Sequence, residues 1–545
     1  MINNIKKIFA YCAEYLSRHK WKLALYIIIG LVASLLSLVS PYIMGNVIDY
    51  LVRAESIDFL FRYFAIFALI NVSTLLLGYI MGRLYVRLQN EMGYALNRDI
   101  VQRLQRVPLR AIQHQDTAYL NQRINNDANG LVIFCISFLQ SVIVNAFMIV
   151  IPAVLLTIFH PILAGVLLGV AVLYFVFYIL YRRVLYRVSF AFQESQSHFF
   201  SKLYEQLFNI RFIKIHSLFN SFVHRLNSSF SVLLSKALRY QHTNYIFGGL
   251  DQLVVMVVQM ILLIVGGREV ILGQLTIGRF IIISTYFNMM LGAMRYFLNL
   301  GQSIQSSLVS YNRLRELSDI ETENNGVHKL ESVDTIEIKN LSFAYDSNVI
   351  LANMSLKLEK GNIYAIIGSN GAGKSTLIDI LMGLQIGNFN GKVLFNGIDM
   401  LDVDMYDLRK RLIGVSEQEP TLLTDTLEYN INQDSERPLD NCTASHLVGM
   451  LGLEAYFNTL PNGYKTIINE SATNISGGEK QKLSILRALA TSPNIIILDE
   501  PTSALDAISG SSLRNYLNEV KNDKIIIVVT HDSDFIAPDT VIVRL

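Results

Sequence analysis

Six stretches of this chain are each about as long as a bilayer is thick and carry almost no charge, and no soluble fold accommodates six of them. A helix needs roughly 20 mostly apolar residues to cross the hydrocarbon core. The stretches run from Trp21 to Ile48, Phe59 to Gly82, Leu131 to Phe159, Ile162 to Tyr181, Tyr245 to Gly267 and Phe280 to Ser303. Composition agrees with this reading. Of 545 residues, 52% are hydrophobic and only 17% charged, where ordinary soluble domains run near a quarter charged.

The segments between the spans differ in charge, and the positive-inside rule orients the set. Arg18, Lys20 and Lys22 precede the first span; Arg83, Arg87, Arg98, Arg103, Arg106 and Arg110 follow the second; Arg182, Arg183, Arg187, Lys202, Arg211 and Lys214 follow the fourth. These sides are expected in the cytoplasm. The opposite connections, at Arg53 to Asp58, at His160 and Pro161, and at Arg268 to Thr276, are short and poor in cations, and are expected outside. The two inward connections are much longer and keep helical patterning, so the spans should continue past the membrane.

Ahead of the first span, Ile5, Ile8, Phe9, Cys12 and Leu16 recur at helical spacing, which predicts an amphipathic elbow helix in the interface. The apolar run after Trp21 is far longer than a signal-peptide core, so the first span is expected to persist. Cys12, Cys135 and Cys442 are far apart in the chain and odd in number, which argues against a disulfide framework or a thiolate metal site and leaves them as apolar filler. Forty-six Lys and Arg against 44 Asp and Glu give a net charge of +2, which excludes nucleic-acid binding through bulk charge.

Beyond a polar, acidic stretch from Ser318 to Thr335, the pattern changes to short β-branched runs separated by turns and helical segments. IYAIIG, NIIILDE and KIIIVVTH read as buried strands of an α/β domain. The first runs into GSNGAGKST, which is Gly368, Ser369, Asn370, Gly371, Ala372, Gly373, Lys374, Ser375 and Thr376, and then into the helix-like LIDILMGL. In a strand, glycine loop and helix in that order, backbone N–H groups turn in around phosphate oxygens and the helix N-terminus adds a favourable dipole. Lys374 supplies compensating charge, and Ser375 places a hydroxyl for Mg²⁺. Farther on, IIILDEP ends a strand in Asp499 and Glu500 at the edge where open α/β sheets bind ligands. Asp499 is expected to support the Mg²⁺ shell and Glu500 to polarise the water that attacks the γ-phosphate.

These residues, with ISGGEKQ from Ile475 to Gln481, resemble an ABC transporter of the exporter type, a half-transporter with one transmembrane domain fused to one ATP-binding domain. ISGGEKQ resembles the family signature; Gln418 in SEQEP matches the Q-loop, Tyr345 in FAYDS the aromatic A-loop, Ser503 to Asp506 the D-loop, and His531 the switch histidine. The resemblance implies a six-span α-helical membrane domain plus an α/β P-loop nucleotide-binding domain. It divides the chain into 1–317, a linker at 318–335, and 336–545. It further implies that Tyr345 stacks on adenine, that Gln418 senses Mg²⁺ and the γ-phosphate, and that His531 contacts the γ-phosphate. Ser476, Gly477 and Gly478 serve the ATP of a second chain, so two composite sites form in a dimer. Thr117 to Asp127 and Tyr204 to Ile215 resemble the segments at the two intracellular connections, near coupling helices.

Departures from the pattern are Asn469 and Ala472 flanking Glu470, where exporters have glycines, and Ile475 and Glu479 in the signature. The chain ends soon after His531, which predicts a shortened C-terminal end of the ATP-binding domain, and it begins at the elbow helix, which predicts no leader peptidase. Asp251 and Arg295 are costly charges inside spans. With Gln140, Asn145, Gln252 and Gln259, and with Tyr286, Phe287 and Tyr296 nearby, they read equally as a polar cavity for an amphipathic substrate or as helix-to-helix glue. The expectation is a homodimeric ATP-driven exporter of a modified peptide or drug-like molecule in a bacterial plasma membrane. A lipid flippase and a nucleotide-regulated channel or sensor are the alternatives.

Overall fold

The computed structural model describes residues 2–52, 57–113, 120–121, 123–345, 348–433, 441–468, 475–502, 505–531 and 538–545. It divides into two compact units: 1–102 with 116–319, and 103–115 with 320–545.

The first unit is helical. An N-terminal helix α1 (Ile2–Arg18) is followed by α2 (Lys20–Val52), α3 (Ile57–Leu104), α5 (Ala128–Phe159), α6 (Pro161–Phe208), a short α7 (Ile210–Ile215), α8 (Phe219–Ile271) and α9 (Ile277–Ser318); the short α4 (Leu109–Gln113) between α3 and α5 belongs to the second unit. Each of the six apolar stretches lies inside one long helix. Among the described residues, Lys20–Val52, Leu60–Leu104, Arg123–Phe159 and Ile277–Ser318 are long and apolar enough to cross a membrane. The other two stretches lie in α6 and α8, which have 48 and 53 residues. At 1.5 Å per residue these helices are about 70–80 Å long, more than twice the hydrocarbon thickness.

Small residues and buried polar caps hold α2 to α9. A Cβ on Gly278 would lie 1.9 Å from the Gly45 carbonyl oxygen, so the two backbones can approach this closely only without side chains. At the same crossing, Asp49 accepts from the Gly278 N–H at 2.7 Å and from the Thr276 hydroxyl at 2.6 Å. Deeper in, the Tyr286 hydroxyl donates to the Leu38 carbonyl at 2.8 Å, inside an apolar cluster with Leu156, Leu262, Ile283 and Phe287. At the α5–α6 turn, His160 meets Glu269 at 2.5 Å.

Helix α1 turns Ile8 and Cys12 fully inward, and Phe9 packs on Phe138 with ring centroids 5.4 Å apart. Although far apart in sequence, Cys12 and Cys135 are both buried and share a hydrogen bond, while Cys442 is exposed.

The second unit is α/β. An antiparallel sheet has the order β2-β1-β4-β5, with β1 (Thr335–Tyr345), β2 (Asn348–Glu359), β4 (Asn390–Phe395) and β5 (Ile398–Asp399). A parallel sheet has the order β11-β3-β10-β9-β6, with β3 (Ile363–Ile367), β6 (Ile413–Ser416), β9 (Ile495–Asp499), β10 (Ile525–Val529) and β11 (Val541–Arg544). The three apolar runs of the sequence are the adjacent strands β3, β10 and β9. All five residues of β10 are buried because both faces of the strand are covered. Ile525, Ile527 and Val529 join one apolar core with Phe343, Leu377 and Phe395; Ile526 and Val528 join the other with Leu483, Leu486 and Leu513.

The polar stretch expected as a linker packs on its own unit from Ile320 onward. Leu330 and Val333 are buried, and His328 bridges to Val403. Glu323 N–H donates to the Arg106 carbonyl at 2.7 Å, which ties 103–115 to the same unit.

Candidate functional site

Strand register gathers the site. Across the parallel sheet, Ile366 of β3 lies opposite Val529 of β10, which lies opposite Asp499 of β9. The residues that follow the three strands therefore emerge at one edge: the Gly368 loop after β3, His531 after β10 and Glu500 after β9. Residues more than a hundred positions apart in sequence become neighbours through hydrogen bonds in the sheet alone.

The loop after β3 turns through Gly371 at φ +84° and Gly373 at φ +95°, conformations that glycine adopts without strain. A Cβ on Gly373 would also meet Ile350 Cγ2 at 2.7 Å, so this position has neither the backbone freedom nor the room for another residue. Lys374 then opens helix α10 (Lys374–Leu381) and is buried. Its ammonium donates to the Gly368 carbonyl at 2.8 Å, to the Ser369 carbonyl at 3.4 Å and to His531 Nε2 at 2.7 Å. A lysine ammonium has no acceptor, so His531 receives at Nε2 and holds its proton on Nδ1.

Glu500 connects the other side of the edge. Gln418, beyond the end of β6, donates from Nε2 to Glu500 Oε2 at 2.9 Å, and Glu500 Oε1 lies 3.6 Å from His531 Nε2. The backbone of Glu500 is left-handed, with φ +48°, and its N–H is pinned to the Val529 carbonyl at 2.9 Å. A non-glycine residue held in that region stores strain, of the kind that collects at functional sites. Gln418, Glu500, His531 and Lys374 thus form one continuous series along the sheet edge.

Burial pushes the Asp499 carboxyl up to about 6, and the charge of Glu500 adds to the effect; Lys374 partly offsets it, and Asp379 adds a smaller push. Burial likewise raises Asp379, with Glu417 contributing. A divalent cation would relieve this concentration of negative charge. The donors present, the exposed Ser375 hydroxyl and the Asp499 carboxylate, are oxygen ligands of the hard type that Mg²⁺ takes together with phosphates and waters. Among the described residues no group of three or more His, Cys, Asp or Glu could hold a metal by itself. The chemistry therefore fits Mg²⁺ held jointly with a nucleotide and not in a cage made only of protein.

The signature residues stand elsewhere in the unit. Ser476 caps helix α15 (Gly477–Ala490) in a capping box: its hydroxyl accepts from Glu479 N–H at 3.2 Å, and Glu479 Oε2 accepts from Ser476 N–H at 2.8 Å. Ser476 and Gly477 are exposed. The sequence reading missed three links from this helix to the segment carrying Gln418. Ser484 and Ser416 share a buried hydroxyl contact at 3.1 Å, Gln481 donates to the Glu417 carbonyl at 3.3 Å, and Arg487 donates to the Thr421 carbonyl at 3.0 Å. It also missed Lys482, which donates to Asp506 at 2.9 Å and to Ser509 at 3.2 Å, joining the signature helix to the helix after the D-loop, α16 (Ala507–Val520). A lysine four residues past a glycine pair carries no pattern that announces such a link.

Tyr345 is half-buried at the end of β1, edge-on to Phe343 with ring centroids 4.8 Å apart. Ser503, Asn469, Glu470 and Ala472 lie outside the described residues, as do Thr117 to Tyr119. In the helical unit, Gln140 packs over Gly30, whose Cβ would lie 2.8 Å from its side-chain nitrogen, and Gln259 is exposed. Arg295 is half-buried beside Tyr296; the side chain of Asp251 lies outside the described residues.

A bundle of membrane-length helices, joined in sequence to an α/β unit whose sheet edge carries a glycine loop, Lys374, an Asp-Glu pair and His531, defines a phosphate-loop nucleotide-binding membrane protein. The family model described as the ABC transporter transmembrane region matches residues 23–294, and the ABC transporter model matches 351–503. ABC transporter B family member 1 of Dictyostelium discoideum is 27% identical over 99% of this chain and 60% of its own length. The ATP-dependent lipid A-core flippase of Syntrophus aciditrophicus is 31% identical over 49% of this chain and 44% of its own. The chain thus spans less than two thirds of the length of either relative. The solved structure of a bacterial Atm1-family ABC exporter with ATP bound superposes with a TM-score of 0.81 at 20% identity, covering 97% of this chain and 93% of that one, and shares its fold. The chain belongs to the ABC transporters, as an exporter-type half-transporter with both domains in one polypeptide.

Proposed function

We propose that the protein exports an amphipathic substrate across a bacterial plasma membrane, driven by ATP binding and hydrolysis at two composite sites in a homodimer. The observation that carries this reading is the unbroken series Gln418, Glu500, His531 and Lys374 along one sheet edge. A protein that only sensed nucleotide would need the loop and Lys374 but not a carboxylate fixed by a glutamine on the same sheet edge.

In this reading the loop from Gly368 to Thr376 wraps the phosphates with backbone N–H groups, and Lys374 turns its ammonium from the Gly368 carbonyl to the β- and γ-phosphates. Tyr345 stacks on adenine. Ser375 and Asp499 would hold Mg²⁺ and Gln418 would sense it, and the ion would supply charge neutralisation to the phosphates. Glu500 orients the attacking water and takes its proton, with Gln418 fixing one carboxylate oxygen. His531 holds the γ-phosphate. Ser476, Gly477 and Gly478 offer a hydroxyl, N–H groups and a helix N-terminus to the nucleotide of the second chain. Closure of two such domains on ATP shifts the joined helices from inward- to outward-facing. The N-terminus and the ATP-binding domain are cytoplasmic under the positive-inside rule. A relative named as a lipid A-core flippase makes lipids one substrate class to screen.

The test is ATP-driven accumulation of substrate in proteoliposomes, alongside ATPase turnover, for the parental chain and Glu500→Gln. The variant should bind ATP as before, hydrolyse it at least about 100-fold more slowly, and lose accumulation. Hydrolysis by the Gln variant at the parental rate would overturn the assignment of Glu500.

A further inference from the structure

The polar stretch after α9 has the composition of a tether, and a tether needs no fixed contacts. From Glu323 to His328 it is instead pinned to the nucleotide unit. The N–H groups of Gly326 and Val327 donate to the carbonyls of Val403 and Asp402, both at 3.0 Å. His328 N–H donates to the Asp402 carbonyl at 2.9 Å, and Asp404 N–H donates to the His328 carbonyl at 2.9 Å. The Asn325 amide donates to Asp404 Oδ1 at 2.7 Å and accepts from Tyr406 N–H at 3.3 Å. A Cβ on Gly326 would lie 2.0 Å from the Asp402 carbonyl carbon, so the strap and the turn beneath it meet backbone to backbone.

The strap begins at Glu323, whose carboxylate pairs with Arg409 of helix α11 (Met405–Arg411) at 3.6 Å. Both side chains are largely buried, 11% and 19% exposed. The Arg409 guanidinium stands over the Tyr406 ring, 5.1 Å from its centroid. Burial raises the Tyr406 phenol, the charge and hydrogen bond of Glu323 raise it further, and Arg409 and Arg106 oppose them. The Glu323 N–H reaches the Arg106 carbonyl at 2.7 Å. Three pieces of chain therefore meet at one residue: the segment that follows α3, the segment that follows α9, and α11. Helix α11 leads through Leu412 into β6, which pairs with β9 and ends two residues ahead of Gln418. A hydrogen-bonded strap transmits a displacement that a flexible linker would absorb.

We propose that Glu323 is a positioning residue of ATP-driven transport: through Arg409 and the Arg106 carbonyl it fastens the chain leaving α9 and the chain leaving α3 to α11, so that the ATP site and the membrane helices change state together. This route runs through the linker and is separate from the segments at Thr117 to Asp127 and Tyr204 to Ile215. The inference rests on the export reading. Its side-chain arm is the charge pair alone, because the backbone bonds of the strap survive any change at Glu323.

The test uses the full-length chain in lipid nanodiscs, spin-labelled at Ile271→Cys on the last turn of α8, where the native residue is 87% exposed, with the exposed Cys442 replaced by Ser. Distances between the labels of two copies are measured without nucleotide and with ATP and Mg²⁺ in the Glu500→Gln background; kcat and KM for ATP are measured with Glu500 in place. Glu323→Ala should keep kcat and KM within about twofold of the parent. It should cut the fraction of molecules whose distance changes with ATP by about fivefold or more. Arg409→Gln should do the same, and the double variant should lose no more than either single change, because the two residues act as one unit. Arg409→Lys, which keeps the charge, should retain most of the response. The proposal is overturned if Glu323→Ala responds to ATP as the parent does, if the variants lose hydrolysis or folding together with the response, or if Arg409→Lys behaves like Arg409→Gln. A parental chain whose distances ignore ATP would sink the export reading and the coupling with it, whereas a responsive parent with equally responsive variants sinks the coupling alone.

Discussion

An apolar residue means opposite things in the two units. In β10, Ile525 to Val529 are all buried, and the hydrophobic run locates the centre of the domain. In α3, Phe64, Leu69 and Leu75 are as apolar and 67%, 67% and 71% exposed. Water drives the first set inward; lipid has no such quarrel with the second, so apolarity there marks depth in the membrane and says nothing about which face meets a neighbour. Helix-to-helix specificity falls instead to glycines and a few polar groups.

The sharpest way to break that comparison is to place one charge at equal exposure in each unit. Leu75 and Ile467 are 71% and 69% exposed. Leu75→Lys should impair membrane insertion at a cost of about 3 kcal/mol, whereas Ile467→Lys, on a two-residue strand, should change stability by about 0.5 kcal/mol or less. The yield of folded protein in nanodiscs and its melting temperature measure both. Equal effects would mean that α3 does not face lipid at this position.

Legibility followed the same division. The three strands and the phosphate loop were readable because a buried parallel sheet leaves continuous apolar runs, and because Gly371 and Gly373 serve a backbone geometry that one sequence motif encodes. The six helices were readable for the parallel reason of length. What polar residues do inside the bundle was not. Gln140 reads from the sequence equally as cavity or as helix-to-helix glue, and it lies over Gly30; Asp127 reads as part of a connection, and it is buried and accepts from Ser310. Their roles depend on the rotation of each helix about its axis, which an all-apolar helix does not signal. Cys12 and Cys135 were separated by more than a hundred residues and lie together for the same reason.

Glycine offers a second, smaller contrast. Gly278 has ordinary backbone angles and is needed for the approach of α2, while Gly373 is needed for a left-handed turn. Gly278→Ala should therefore force α2 and α9 apart and lower the melting temperature, by about 1–3 kcal/mol of stability, without changing ATP affinity. Gly373→Ala should weaken ATP binding more than it lowers the melting temperature. Isothermal titration with ATP beside thermal melting distinguishes them. Interchanged phenotypes would mean that Gly278 is not a packing glycine.

The last contrast sets stability against function at one residue, Asp499, whose carboxyl burial pushes up to about 6 from its ordinary value of 3.8. Between those values the folded state holds a proton that the unfolded state has released. Stability from this group is therefore full below about pH 4 and is lost as pH rises through 6. Above pH 6 the ionised carboxylate, buried beside Glu500, costs the nucleotide-free protein about 1–2 kcal/mol, less than the full shift implies because the site relaxes and partly hydrates. Asp499→Asn removes the charge and keeps the shape. Without nucleotide it should raise the melting temperature at pH 7.5 and leave it nearly unchanged at pH 4. With ATP and Mg²⁺ the order should reverse at pH 7.5, because the charge that destabilises the empty fold is the one a divalent cation requires. Melting curves at the two pH values, with and without Mg²⁺-ATP, contain all four comparisons. A variant that is less stable than the parent at pH 7.5 without nucleotide would show that Asp499 is held by structural contacts and not strained in readiness for a cation.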